Sequence, residues 1–178
     1  MLCWGTDLHV HVLQNEEAKV IQDLEAGAGA SDRFAYTITL YGSAQTWTGC
    51  PIHLAASRGH VSMVKLLLDA GCDVQSTVQQ DGMDHYDVIQ AAVLKEGCGG
   101  SGDIIDFLCS RRADICSKHA NGLTCLHLAF QTGNLQTIQA VRRHLLDQDE
   151  FSEMEDFTST DRPKTPLEYG IQWGKMSR

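Results

Sequence analysis

Residues Cys50 to Val74 read Cys-Pro-Ile-His-Leu-Ala-Ala-Ser-Arg-Gly-His-Val-Ser-Met-Val-Lys-Leu-Leu-Leu-Asp-Ala-Gly-Cys-Asp-Val. Pro51 suits the first turn of a helix, and Gly59 suits its end. Apolar residues then recur at helical spacing from Val61 to Leu68. The stretch therefore predicts two short helices. Such a pair cannot bury both of its faces alone, so it needs neighbours on either side.

The same pattern recurs along the chain, which supplies those neighbours. The clearest copy opens at Thr124 with Thr-Cys-Leu-His-Leu-Ala. Weaker copies open at Thr6 with Thr-Asp-Leu-His and at Thr165 with Thr-Pro-Leu-Glu. The most divergent copy opens at Tyr86, if residues 86–92 are aligned with residues 50–56. Openings at about 6, 50, 86, 124 and 165 divide residues 1–178 into five units of one domain, the last with only its first helix.

This pattern resembles the ankyrin repeat, whose units carry Thr-Pro-Leu-His-x-Ala-Ala, then Gly-His, a Val-x-x-Leu-Leu stripe and Gly-Ala-Asp. In the best copy only Cys50, Ile52 and Cys72 depart from that pattern. The resemblance implies a mainly α, ankyrin-repeat solenoid of stacked helix-turn-helix units with β-hairpin fingers. It also implies that the histidines of the openings hydrogen-bond within and between turns; these are His9, His53 and His127.

The units are longer than the ankyrin repeat of about 33 residues, so the comparison also locates insertions. Residues 31–49 carry apolar residues in partial alternation with polar ones, which predicts an extended β-hairpin finger. Residues 75–85 lengthen the next finger, and residues 95–102 lengthen a turn between two helices. Residues 147–161 form an acidic loop, which we interpret as a solvated tether rather than a docking motif.

Charge and composition narrow the classes of function. The 178 residues include 14 basic and 23 acidic side chains, a formal net charge of −9. That charge disfavours nucleic acid and anionic membrane surfaces as partners. No apolar run is long enough to span a bilayer, and the first residues lack the pattern of a signal peptide. We therefore expect a cytoplasmic or nuclear protein whose seven cysteines stay reduced.

A glycine-rich segment suggests phosphate binding. Residues Gly97 to Gly102 have the glycine spacing of a dinucleotide-binding loop, and a helix follows them. However, the preceding segment matches a helix rather than a strand, and Asp103 would place a negative charge beside the phosphate. A flexible turn between two helices explains the segment better.

Cysteines and histidines suggest a metal site or a nucleophile. The closest group in sequence consists of Cys116, His119, Cys125 and His127. Their spacing lacks the paired pattern of zinc ligands, and burial at repeat positions explains Cys50, Cys72 and Cys109. Cys98 would be exposed among glycines, but a reactive thiol needs a base or a cationic setting that lowers its pKa. Lys95 alone is weak support for such a setting. We therefore predict no metal, no cofactor and no catalytic residue, and hence a protein that is not an enzyme.

The ankyrin resemblance implies protein binding through the finger tips and the concave face of the first helices. On that basis we expect contact from the long finger and from the ends of the inner helices, at Arg33, Phe34, Tyr36, Trp47, Ser57, Arg58, Gln131 and Thr132. The acidic charge suggests another protein with a basic patch as the partner. For Trp47, burial against a neighbouring finger is an equal alternative to exposure to that partner.

Other functions stay open at this point. Because the last unit stops after its first helix, the chain fits a targeting or substrate-recruiting fragment of a larger enzyme, such as a kinase, a ubiquitin ligase or a bacterial effector. The same incomplete repeat would expose part of its apolar surface, which predicts self-association or a further segment of chain. The residues concerned are Leu167, Tyr169, Ile171 and Trp173. A nucleotide-dependent enzyme that uses the glycine loop is the third alternative.

Overall fold

The computed structural model describes residues 7–40, 43–80, 83–94, 102–119, 122–147 and 165–172, which contain nine helices and four strands. The helices are α1 (Asp7–Leu13), α2 (Glu17–Glu25), α3 (Pro51–Arg58), α4 (Val61–Asp69), α5 (Val88–Val93), α6 (Gly102–Ser110), α7 (Cys125–Thr132), α8 (Leu135–Asp147) and α9 (Pro166–Gln172). The strands are β1 (Phe34–Leu40), β2 (Ser43–Gly49), β3 (Thr77–Gln80) and β4 (Met83–Asp87).

The helices stack in two rows. Helices α1, α3, α5, α7 and α9 pack side by side in an inner row, and α2, α4, α6 and α8 each pack on the inner helix that precedes them. Buried apolar side chains form one cluster that runs from Leu8 to Leu145 across the repeats. This arrangement of paired helices and hairpins confirms the mainly α repeat fold, in which each unit is covered by its neighbours.

The inner helices begin with one recurring device. In α3, the Cys50 N–H donates to His53 Nδ1 at 3.1 Å, and in α7 the Thr124 N–H donates to His127 Nδ1 at 3.3 Å. His53 also donates through Nε2 to the carbonyl oxygen of Ser76, 2.9 Å away in the next connection. These bonds satisfy backbone groups that a helix leaves without partners at its start. They are the contacts within and between turns that the resemblance implied.

The third unit uses the same device with different side chains. The Gln90 N–H donates to Asp87 Oδ1 at 2.9 Å, and Gln90 Oε1 accepts from the Asp87 N–H at 3.4 Å. Asp87 therefore occupies the position of Cys50 and Thr124, so the unit opens there. The alignment that opened it at Tyr86 was wrong by one residue, because Gln90 replaces the histidine that marks the register elsewhere.

The first two fingers join in one antiparallel sheet with the order β1-β2-β3-β4. The predicted hairpin within residues 31–49 consists of β1 and β2, paired from Phe34 opposite Gly49 to Leu40 opposite Ser43. The second finger adds β3, with Gln80 opposite Trp47, and β4 closes the sheet beyond it. We call these four strands the finger sheet.

One residue of the glycine-rich segment lies in the described part of the chain. Gly102 is the first residue of α6, and a Cβ atom at this position would lie 3.0 Å from Ala140 Cβ in α8. This glycine therefore allows two outer helices to approach closely. Residues 95–101, with Cys98, and most of the acidic loop predicted at 147–161 lie outside the described residues.

Candidate protein-interaction surface

The predicted contact residues lie at three places in the fold. Four belong to the first finger or its approach: Arg33, Phe34, Tyr36 and Trp47. Two end α3, namely Ser57 and Arg58, and two end α7, namely Gln131 and Thr132. All three places adjoin the finger sheet or the inner row. The structure describes Tyr36 by its backbone, which lies opposite Trp47 in the sheet.

Phe34 lies where the finger sheet meets the inner helices. Its ring is 4.0 Å from the ring of His9, which is buried and donates to the Asp32 carbonyl oxygen at 3.2 Å. Phe34 also lines a cavity of about 40 Å³ whose other walls include Ser57 and Tyr86. The structure thus brings together Phe34 and Ser57, which the sequence placed in separate elements. A cavity of this size holds at most one or two water molecules.

Trp47 is half-buried against the second finger. Its ring lies edge-on to His85 at 4.7 Å and is 5.8 Å from the ring of Tyr86. The indole Nε1 is buried and has no hydrogen-bond partner in the described part of the chain. Trp47 thus packs against the neighbouring finger and stays partly exposed, so its packing is observed and its contact with a partner stays a prediction. We call Phe34, Trp47 and Tyr86 the aromatic junction.

Tyr86 and His85 are site residues that sequence reasoning missed. Tyr86 was assigned to the opening of a helix, and the one-residue correction returns it to β4. His85 packs against His119 with ring centres 4.2 Å apart. Burial, and then the neighbouring His119, lower the pKa of His85 to about 4. His85 is therefore neutral at physiological pH and adds an uncharged aromatic surface to the junction.

The two arginines of the predicted surface differ in their roles. Arg33 is exposed, yet its guanidinium donates to the carbonyl oxygen of Thr77 at 2.6 Å, so it joins the first finger to the second. Arg58 is exposed at the end of α3, and its guanidinium forms no hydrogen bond or ion pair with other described residues. Of the two, Arg58 has the more available guanidinium for a partner.

The remaining predicted residues are half-buried at helix ends. Ser57 Oγ donates to the Leu54 carbonyl oxygen at 3.0 Å, and Thr132 Oγ1 donates to the Ala129 carbonyl oxygen at 2.7 Å. Both hydroxyl groups therefore bond to their own helix. Gln131 has no such bond within the described residues, so its amide is available for contact.

Three exposed aspartates stand at the start of successive fingers and were not singled out in the sequence. They are Asp32, Asp73 and Asp114. Asp73 Oδ1 accepts from the Gln75 N–H, and Asp114 Oδ1 accepts from the Cys116 N–H, each at 2.9 Å. These bonds hold the carboxylates of Asp73 and Asp114 against their own turns. We call the three aspartates the acidic row.

Two observations on the described residues bear on metal and thiol chemistry. No three His, Cys, Asp or Glu side chains in these ranges lie close enough together to hold a metal ion. Burial raises the pKa of Cys72 and of Cys109 to about 12, which suppresses the reactive thiolate. Cys109 is half-buried rather than fully buried as expected. None of the described helices is both long enough and apolar enough to cross a bilayer.

Stacked helix pairs with hairpin fingers define a repeat protein, and the comparisons with known sequences assign its class. The family model described as ankyrin repeats (3 copies) matches residues 8–119, and the chain belongs to the ankyrin-repeat family. Ankyrin repeats are protein-protein interaction modules, and the domains they form are not catalytic.

Two curated relatives are much longer than the matched region. The chain is 30% identical over 113 residues to the E3 ubiquitin-protein ligase XBAT33 of Arabidopsis thaliana, covering 58% of this chain and 19% of that protein. It is also 30% identical over 96 residues to Ankyrin repeat and SOCS box protein 14 of Mus musculus, covering 53% of this chain and 16% of that protein. The chain thus spans less than a fifth of the length of either relative.

Proposed function

We propose that this chain is a protein-interaction module whose partner lies along the finger sheet and the adjoining ends of the inner helices. The observation that carries the proposal is the aromatic junction, in which Phe34, Trp47 and Tyr86 lie half-buried where two fingers meet α3. Large aromatic side chains held in place by packing are typical anchors of protein interfaces. Arg58 and Gln131 add available polar groups at the ends of α3 and α7.

The charge of the molecule supports a partner with a basic patch. The formal net charge is −9, and the acidic row presents Asp32, Asp73 and Asp114 to solvent beside the fingers. Complementary charge accelerates association and favours one orientation of the partner over others. Binding should therefore weaken as the salt concentration rises.

Site-specific photocrosslinking tests this proposal and captures the partner in the same experiment. A photoreactive amino acid placed at Arg58 should form a covalent adduct with the partner in cells. The same amino acid at Leu146, which is 54% exposed on the outer helix α8, is the matched control. An adduct from position 58 that is absent from position 146 would support the proposal. Adducts from position 146 alone, or from neither position, would refute it.

A second candidate is the recruitment of a substrate to a ubiquitin ligase. The names of the two relatives favour it, since one is an E3 ubiquitin-protein ligase and the other a SOCS box protein. In this case the crosslinked partner should carry ubiquitin and should live longer in cells that lack this chain. If neither the ubiquitin on the partner nor the partner's lifetime changes in those cells, the recruiting role is excluded, whereas the proposed interaction module is not affected.

The C-terminal end of the stack offers a surface for self-association. Helix α9 packs on α7, while Leu167 is 48% and Ile171 is 56% exposed. Exposed apolar side chains on one short helix are typical of a contact surface. We propose that two copies of the described stack meet through α9.

A further inference from the structure

An apolar groove lies between the outer helices α2 and α4, on the side of the stack away from the inner row. Its floor consists of Ile21, Leu24, Leu66 and Ala70, and its volume is about 670 Å³. Ile21 is 44% exposed there. An apolar groove between two helices matches the way in which a third helix packs.

Helix α2 packs less closely against α4 than α6 packs against α8, which leaves the groove open. Within α2 the buried residue is Val20, and the polar Gln22 stands where α4 has the apolar Leu66. The Ser62 hydroxyl donates to the Glu17 carboxylate and joins the two helices near their N-terminal ends. By contrast, α6 approaches α8 at the contact of Gly102 with Ala140.

The rim of the groove is mainly acidic. Glu17, Glu25 and Asp69 lie along it, against the single lysine Lys65. Asp69 is paired with Arg111 of the next unit at 2.5 Å. Glu25 has no ion pair within the described residues, so its charge faces the groove uncompensated. A ligand for this groove must combine an apolar face with positive charges beside it.

We infer that the groove binds an amphipathic helix of a partner protein, with apolar residues at helical spacing and lysine or arginine on both flanks. This surface shares no residue with the contact surface proposed above, so the inference does not depend on that function. A second copy of this chain fits the groove poorly, since its net charge of −9 would meet an acidic rim. A helix rich in basic residues would instead satisfy Glu25 and cover Ile21.

Two synthetic peptides test the inference with the full chain. Each has about 14 residues, roughly four helical turns, and the same stripe of leucines. One carries lysine and arginine on its flanks, and the other carries glutamate. Fluorescence anisotropy at physiological salt should show binding of the basic peptide and at least about tenfold weaker binding of the acidic one. Equal binding of both peptides, or no binding of the basic one, would overturn the inference.

Variants of the groove locate the binding. Ile21→Ser and Glu25→Lys should each weaken the basic peptide at least about fivefold. Leu146→Ser and Asp147→Lys change matched exposed residues on α8 and should leave binding unchanged. All four positions are exposed, and circular dichroism would verify that each variant keeps its fold. The inference would be wrong if the α2 and α8 variants lost affinity for the basic peptide equally. It would also be wrong if the free chain formed a dimer that Ile21→Ser abolishes, because a second copy would then occupy the groove.

Discussion

Leu67 illustrates how a single buried side chain holds neighbouring repeats together. It is fully buried on α4, within the cluster that runs through the stack. Leu67→Ala should lower the free energy of unfolding by about 2–5 kcal/mol, because the lost methyl groups leave a cavity between packed helices. Urea unfolding followed by circular dichroism measures the change.

The matched control for this prediction is Leu135→Ala. Leu135 is 65% exposed at the start of α8, so its truncation removes few contacts. Its effect should stay within about 0.5 kcal/mol. If both variants lost the same small amount of stability, α4 would not be packed as the structure has it.

Two histidines make the stability depend on pH. Burial lowers the pKa of His53, and burial together with His119 lowers that of His85 to about 4. The unfolded chain therefore binds these protons more readily than the folded one. We expect the two histidines to make their full contribution to the free energy of unfolding above about pH 6.5, the ordinary histidine pKa. That contribution should fall as the pH drops towards 4.

Urea midpoints measured across this range check the expectation, with His85→Gln as the comparison. Removing His85 should make the fall with acidity shallower, because one of the two shifted groups is lost. Asp87 acts in the opposite direction, since burial raises its pKa and protonation then favours the folded state. A stability that rises on acidification from pH 6.5 to pH 5 would contradict the assignment of neutral, buried histidines.

The thiols should react in the order of their burial. Burial raises the pKa of Cys125, which is fully buried, and that of Cys72 to about 12. Both should resist alkylation in the native state and react on unfolding, as measured by mass spectrometry of the labelled peptides. Cys98 remains predicted to react first, ahead of Cys50, Cys72 and Cys109. Labelling of Cys72 and Cys125 at the rate of a free thiol would show that the repeats open readily.

At the scale of elements, the caps of the inner helices carry a further prediction. Thr124 is buried, and its Oγ1 lies 2.8 Å from His127 Nδ1 at the start of α7. Thr124→Ala should destabilise the protein by about 0.5–2 kcal/mol, because a helix end loses its cap. Thermal unfolding measures the loss. Ser110→Ala removes an exposed hydroxyl that bonds within its own helix, and should change stability by less than about 0.5 kcal/mol.

The sequence predicted those helices whose local signals agree, and it missed features that arise between distant segments. Pro51 and Gly59 bound α3 as expected, since capping and turn geometry depend on neighbouring residues. The pairing of Trp47 with Gln80 could not be read in this way, because it joins strands of two separate fingers. For the same reason, the cavity that Phe34 and Ser57 line together emerged only from the structure.

The whole molecule should associate through its C-terminal helix. Sedimentation of the chain should show oligomers that increase with concentration, because Leu167 and Ile171 leave apolar surface on α9. Replacing both with serine should weaken that association. Ile21→Ser, which changes an exposed apolar residue at the other end of the stack, is the control and should have no effect. A strict monomer at high concentration would contradict the prediction.

The finger sheet limits where this protein can be cut or recombined. Ankyrin units are otherwise interchangeable along a stack, because each contacts only its neighbours through helices. Here, removing either of the first two units would separate β2 from β3 and expose an open strand edge, which invites aggregation. The first two units must therefore be deleted, duplicated or fused together, so engineering and evolutionary exchange of repeats should treat them as one indivisible module.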